Sequence, residues 1–336
     1  MPLKWSIELK RLDLKYTWAI SRNCSDFKIN AFINVTDGIN IGIGEAAPNV
    51  RYNETPDLLT EKFNGLNFLE FRDLKEFCFW LNNQELPNAL RFGIESAYIS
   101  YLANCKGESI SFILGLKEPI VRNTAYTIPI MPVEKLETYI KDYNLKRFRF
   151  IKIKVNSENL VPFVAETRRH LYNSFIIDAN EAYSDPDKFL LDIETLKDPN
   201  LEFIEQPFPA GSEEEYLYLK KKTRHLIFAD ESITNQADFK LIKDCFHGVN
   251  IKLMKAGGFL NGIKLLKEAK THGLKTMIGC MVETGLGISS GYYLSSLADY
   301  LDLDSFLLLK NDPYPYLNEK DGILSLSGKA NETEFL

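Results

Sequence analysis

The sequence predicts an α/β barrel of parallel strands joined to an α+β N-terminal portion. Two observations carry that prediction. First, acidic residues recur at the ends of strand-like runs: Asp178 in FIIDAN, Glu205 in EFIEQP and Asp230 in LIFADES, spaced 27 and 25 residues apart. A strand plus its crossover helix takes roughly 25–30 residues, so residues at that period fall on consecutive parallel strands at the same end of a sheet. Second, the hydrophobic pattern changes character twice along the 336 residues, from strand alternation to helical spacing and then to alternating strands and helices.

Residues 1 to about 45 alternate apolar and polar positions, as in KINAFINVTDGINIGIGEA, with Asp37 and Gly38 as turn residues between two runs. This predicts an antiparallel meander. Residues 55 to about 115 place apolar side chains three and four apart in DLLTEKFNGLNFLEF and ALRFGIESAYISYLANC, which is the helical period. From about 118 to 310 the strand runs are TAYTIPI, RFIKIKV, FIIDAN, LEFIEQP, LIFADE, GVNIKL, KTMIGC and a last one near LDLDSFLLL, with amphipathic helices between them. Eight such runs favour a closed barrel over an open sheet. GILSLSG near the end reads as a hairpin returning to the N-terminal layer. The predicted division is 1–117 together with 312–336 as one α+β unit, and 118–311 as the barrel.

Composition narrows the function classes. The formal charge is −6 and the 40 Lys and Arg are scattered, which argues against a polyanion-binding surface and a nucleic-acid partner. No apolar run approaches the ~20 residues that span a bilayer, and MPLKWSIELKRLDLKY lacks the apolar core of a signal peptide. The five cysteines, at 24, 78, 105, 245 and 280, show no CxxC spacing and read as reduced thiols. A cytoplasmic soluble enzyme is expected. Some motif matches mislead. Gly42, Gly44 and Ala47 form GxGxxA, but Pro48 stands where a helix should continue. GISSG around Ser289 matches a nucleophile elbow, whose histidine must come later in the chain, yet the last histidine is His272. His170, His225, His247 and His272 have no metal-ligand spacing.

The acids are not alone on their rim. Lys152 and Lys154 in FIKIKVN precede them at the same period, and Lys252 in VNIKLMKAGG follows. Strand alternation puts Lys152 and Lys154 on one face, the barrel interior. Burying lysines there is costly unless their charge is compensated. Three carboxylates on neighbouring strands repel one another unless a cation sits among them, and oxygen ligands without His or Cys favour Mg²⁺. The pattern is that of a metal-dependent acid/base site; ion pairs across a barrel layer are the structural alternative.

The motifs KIK, DAN, EQP, ADES and NIKLMKAGG, followed by GCMVET and the DLD of Asp302 and Asp304, resemble the dipeptide epimerases of the enolase superfamily, in its muconate-lactonizing subgroup. The resemblance covers nearly the whole chain, including GIGEAAP. It implies a (β/α)7β modified TIM barrel with an α+β N-terminal capping domain, and one Mg²⁺ per subunit held by Asp178, Glu205 and Asp230. It further implies Lys154 and Lys252 as acid and base on opposite faces of the substrate α-carbon, with Lys152 adding positive charge near the carboxylate. Asp302 and Asp304 would hold the ammonium group of a dipeptide. Thr127 and the backbone around Cys280 and Val282 would contact the substrate. Arg22, in AISRNCSDF, matches an arginine that in some relatives pairs with a glutamate side chain, whereas Trp18 in the same loop favours an apolar second residue. L-Ala-D/L-Glu, from murein peptide recycling, is the expected substrate, with other L-Ala-Xaa dipeptides next. An N-acylamino acid racemase, an o-succinylbenzoate synthase, a cycloisomerase and a non-enzymatic binding protein remain alternatives, and a homo-oligomer stays open.

Overall fold

The computed structural model describes residues 2–20 and 23–327. Strands β1 (Lys4–Ile20), β2 (Asn23–Thr36) and β3 (Ile41–Ala46) form the predicted antiparallel meander in the order β1-β2-β3. Asp37 makes the β2–β3 turn by accepting the backbone N–H groups of Ile39 and Asn40 on Oδ1 at 2.8 and 2.7 Å. Gly38 follows in the left-handed region with φ 93°. Helices α1 (Pro56–Asn64), α2 (Leu74–Asn82) and α3 (Asn88–Lys106) cover the meander.

The helical spacing of DLLTEKFNGLNFLEF outruns the helix. Thr55 caps α1 by accepting the Leu58 N–H, and the helix ends before Gly65. Phe68 in the irregular stretch beyond it stacks on Trp5 with ring centroids 4.4 Å apart, so an aromatic contact accounts for that apolar position rather than a helical face. The glycines of the GxGxxA match have a packing reason. A Cβ on Gly44 would lie 2.1 Å from the Gly93 carbonyl oxygen and one on Gly42 equally close to that of Ala97, so β3 lies flush on α3.

After the two-residue strand β4 (Arg122–Asn123) come β5 (Ala125–Ile128), β6 (Phe150–Lys154), β7 (Ser174–Asp178), β8 (Leu201–Glu205), β9 (Leu226–Ala229), β10 (Gly248–Lys252), β11 (Lys275–Gly279) and β12 (Tyr300–Asp302). They form one parallel eight-stranded sheet in sequence order. A helix lies in each interval between them, from Leu136–Asp142 to Gly285–Tyr293, giving the (β/α)7β pattern. Side chains close the ring: Leu303 N–H donates to Thr124 Oγ1 at 2.9 Å and Thr127 N–H to Asp304 Oδ2 at 2.6 Å. The last strand is shorter than LDLDSFLLL implied, because Ser305–Leu308 turns into a single 3₁₀ segment. Ala125, Ile176, Phe203, Phe228 and Met277 plug the barrel interior, with the Phe203 and Phe228 rings stacked 3.9 Å apart.

The terminal hairpin, β13 (Leu317–Lys320) and β14 (Ile323–Leu326), departs from expectation. It pairs with β4 and not with the N-terminal meander. Tyr292 fixes it there, its hydroxyl reaching the carbonyls of Leu324 and Ile120 at 2.7 and 2.8 Å. The segment before the hairpin does touch the meander, through Tyr314 against Phe32 at 5.0 Å. No helix among the described residues is long and apolar enough to cross a membrane.

Two predictions follow from the contact between α3 and its neighbours. Gly44→Val should destabilise the protein by about 1–3 kcal/mol through overpacking, read as a lowered urea midpoint; an unchanged midpoint would mean that β3 and α3 do not approach this closely. Glu95, buried on α3 beneath the Phe259 N–H, has its carboxyl pushed up to about 7 by burial. The folded state therefore keeps a proton that the unfolded chain releases near 4.5, and this group's stabilising contribution fades as pH rises from there through 7, by about 1.4 kcal/mol per pH unit. Glu95→Gln should gain stability relative to wild type across that window, and a constant difference would show Glu95 ionised throughout.

Candidate active site

Strand register builds the site. Lys154 on β6 pairs laterally with Asp178 on β7, which pairs with Glu205 on β8, so the three side chains share one level of the barrel. Glu205 is level with Phe228, and Asp230 stands two residues further along that chain segment, above the end of β9. On the far side Lys252 is level with Gly279, and Gly279 with Asp302. Below this charged ring lies the apolar plug; above it is the mouth at the strand C-termini.

All three acids are buried, and their oxygens lie within 4.8 Å of one another. Lys152 is the hub. Its Nζ contacts Asp178 Oδ2 at 2.8 Å, Glu205 Oε2 at 3.0 Å and Asp302 Oδ2 at 2.8 Å. Burial alone would lower its pKa, but the surrounding carboxylates hold it well above the ordinary lysine range. Lys154 Nζ sits on the same Asp178 oxygen at 2.5 Å. Across the barrel Lys252 Nζ meets Asp230 Oδ2 at 2.8 Å; burial lowers its pKa and Asp230 more than offsets that, leaving it raised. The sheet order puts β6 and β10 four strands apart in a ring of eight, so Lys154 and Lys252 approach the acid cluster from opposite sides.

The acids respond unequally. Opposing lysines hold Asp178 and Asp230 below the usual carboxylate range against the effect of burial. Glu205 is pushed up to about 8, first by burial and then by the Asp178 charge, although its Oε2 lies 3.0 Å from the Lys152 ammonium. Three buried carboxylates converging this closely fit a hard divalent cation, and the all-oxygen donor set is the one Mg²⁺ prefers.

Several residues of the site escaped the sequence reading. Lys255 donates to the Asp230 side chain and carbonyl, so Asp230 is held by two lysines. The KLMK spacing, directly after a strand, is the signal that places it there. Asn250 Nδ2 holds Glu205 Oε1 at 2.9 Å, and its side chain occupies the space where a Cβ on Gly279 would fall, 2.5 Å from Asn250 Oδ1. Gln206, with φ 39°, accepts the Asp230 N–H at 2.8 Å and ties β8 to the loop after β9. Asn180 and Glu181, with φ 44° and 65°, turn the chain sharply after Asp178; such backbone at strand ends is often stored at functional positions.

The mouth opens into a cavity of ≈ 510 Å³. Its floor includes Lys152, Lys154, Asp230 and Lys252, and its roof comes from Trp18, Ser25 and Lys28 of the meander. Asp302 and Asp304 line one end with Thr127. Asp302 is tied to Lys152 and receives Thr127 Oγ1 at 3.4 Å, while Asp304 is pushed up to about 7, by burial and then by Asp302. Cys280 lines the same wall, with its thiol donating to the Asp302 carbonyl at 3.2 Å and pushed well above its usual pKa, chiefly by burial. Val282 lines the cavity too; its carbonyl accepts Asn30 Nδ2 at 2.9 Å and its side chain packs with Leu12, Leu14 and Leu309. Arg22 lies outside the described residues. Ser289 is buried within its helix and bonds the Leu286 carbonyl at 2.8 Å, which disposes of the elbow match.

Against known proteins, the family described as Enolase C-terminal domain-like matches residues 133–304. An L-Ala-D/L-amino acid epimerase of Pedosphaera parvula is 33% identical, over 96% of this chain and 95% of its own length. One of the same name from a Maribacter species is 32% identical over 91% of both. The structure of a dipeptide epimerase from Methylococcus capsulatus, complexed with Mg and the dipeptide L-Arg-D-Lys, superposes with a TM-score of 0.87 at 26% identity, covering 97% of this chain and 98% of that one.

The Asn250 contact generates a test of the cation site. Asn250→Ala should weaken Mg²⁺ binding about 10–100-fold in calorimetry, the usual cost of losing a group that orients a ligand. Unchanged affinity would place the ion away from Glu205.

Proposed function

The chain belongs to the enolase C-terminal domain-like family, and on that premise we propose that it is a Mg²⁺-dependent epimerase of L-Ala-D/L-Xaa dipeptides, inverting the α-carbon of the C-terminal residue. The observation that carries the reading is the placement of Lys154 and Lys252 on opposite sides of the acid cluster. The 33% identical relative named for this activity supports it.

Inversion at carbon needs one group to remove a proton from one face and a second to return one to the other. Lys154, as the free amine, takes the α-proton onto Nζ. Lys252, kept protonated by Asp230, delivers a proton from the opposite face, and the reverse reaction exchanges the two states. Asp178, Glu205 and Asp230 would hold Mg²⁺, which would supply positive charge against the carboxylate whose α-proton is removed. Lys152 adds its fixed charge beside the same oxygens. At the cavity's end, Asp302 and Asp304 receive the substrate ammonium, whose charge favours the ionised form of Asp304. Thr127 holds both acids in place. The reading sets the enzyme in the cytoplasm, acting on peptides such as those released from murein.

Single-lysine variants separate the two faces. In D₂O, Lys252→Ala should lose epimerisation about 10²–10⁴-fold while still exchanging the α-proton of one stereoisomer, and Lys154→Ala should show the opposite preference by NMR. Full epimerase activity in either variant would sink the two-base scheme. N-acetylation of the dipeptide should raise KM sharply in the wild type, because it removes the ammonium that Asp302 and Asp304 receive. A wild-type preference for N-acylated amino acids would make the enzyme a racemase of that class.

A further inference from the structure

Among the described residues, four lysines and one arginine line the cavity, and all but one of these are matched by an acid. Lys152, Lys154 and Lys252 pair with the carboxylates of the floor, and Arg51 forms a two-point ion pair with Glu181 at 2.9 Å per contact. Lys28 is the exception. Among the described residues no hydrogen bond or ion pair reaches its Nζ, and burial with no compensating charge lowers its pKa. It projects from β2 two residues before Asn30, whose side chain on the same strand face bonds the Val282 carbonyl at the barrel mouth. The chain thus places a partly desolvated, unmatched cation in the roof of a cavity whose floor and far end are anionic.

Resting on the proposed epimerase reading, we infer that Lys28 binds a carboxylate on the side chain of the residue being epimerised, which selects L-Ala-Glu and L-Ala-Asp over dipeptides with apolar or basic second residues. The charge layout of the cavity supports this. The C-terminal carboxylate of a dipeptide goes to the floor and its ammonium to Asp302 and Asp304, which leaves the second side chain to face the roof. An apolar side chain there would shield Lys28 from water and give it no anion, whereas a carboxylate makes a charge-assisted hydrogen bond in a site already partly dry. A basic side chain would meet like charge. Trp18 and Ser25, on the same roof, give that side chain an apolar wall and a hydroxyl, and Lys28 brings the positive charge. Lys28 lies within strand β2, so it acts from a fixed position.

The test is the ratio of kcat/KM for L-Ala-L-Glu to that for L-Ala-L-Leu. The wild type should favour Ala-Glu; Lys28→Met should lower the ratio about 10²-fold, Lys28→Arg should largely keep it, and Lys28→Glu should turn preference toward L-Ala-L-Lys. A ratio unmoved in Lys28→Met, with the protein folded by circular dichroism, overturns the inference, as does a wild type that turns over Ala-Leu faster than Ala-Glu. If Lys28→Met fails to fold, the Lys28→Arg and Lys28→Glu ratios decide between the same outcomes. A wild type that epimerises no dipeptide refutes the epimerase reading itself, which separates the two failures.

Discussion

Everything at the barrel mouth depends on buried carboxylates and buried ammonium groups that are tolerable only together. Asp178, Glu205, Asp230 and Asp302 meet Lys152, Lys154, Lys252 and Lys255 at the strand ends, and all eight are buried. In such a setting an uncompensated charge costs several kcal/mol, whereas the matched set holds because each oxygen and each ammonium finds a partner. Register enforces the matching: Lys154, Asp178 and Glu205 are lateral neighbours, so none can leave the level without breaking the parallel ladder. Asp178 Oδ2 carries two ammonium contacts, from Lys152 and Lys154, and Glu205 Oε2 carries one, from Lys152. Two of the carboxylates that would ligate Mg²⁺, Asp178 and Asp230, are thus also those that pair with Lys154 and Lys252.

Much of this ring was legible because it is periodic. A strand end returns every 25 or so residues, and a charged residue at each return stands out against the apolar run before it. The metal-site acids, the paired lysines of β6 and Lys252 could be located by that spacing. Asn250 and Gln206 were not legible, since each is a neutral amide whose role appears only when a second strand comes beside it. Lys255 was visible in the motif but sits one turn past the strand, where spacing alone does not say which way it points. Lys28 was hidden for another reason: in an alternating strand one polar residue in two is expected, and nothing local marks which faces a cavity. The hairpin β13–β14 was found but misplaced, because its partner, β4, is two residues long and leaves no pattern to read.

The seam between meander and barrel also rests on buried polar groups. Glu45, from GIGEAAP, accepts from Asn30 at 2.7 Å, from the Thr284 hydroxyl at 2.6 Å and from the Gly287 N–H at 2.9 Å, at the start of the helix Gly285–Tyr293. Burial pushes its pKa up in spite of these bonds. Arg51 reaches from the loop after β3 to Glu181, whose Oε1 also takes the Ala210 N–H at 2.8 Å. Both ties cross from the N-terminal layer to loops at the strand C-termini, so the roof is held over the floor by directional bonds as well as by apolar contact. Removing one such partner leaves a buried charge unmatched and carries a larger penalty than the loss of a surface pair.

That seam divides the labour of the site. Lys154, Lys252, Asp178 and Glu205 sit on strands of one continuous sheet, whose geometry cannot shift without disturbing the whole ring. The roof residues Trp18, Ser25 and Lys28 sit on β1 and β2, tied down at Glu45 and Asn30 but outside the barrel ladder. Substitutions there can alter which side chain is accepted while leaving the distance between Lys154 and Lys252 untouched. In the proposed epimerase, the fixed opposition of Lys154 and Lys252 is therefore held by the barrel, and selection among side chains falls to the covering layer that carries Lys28.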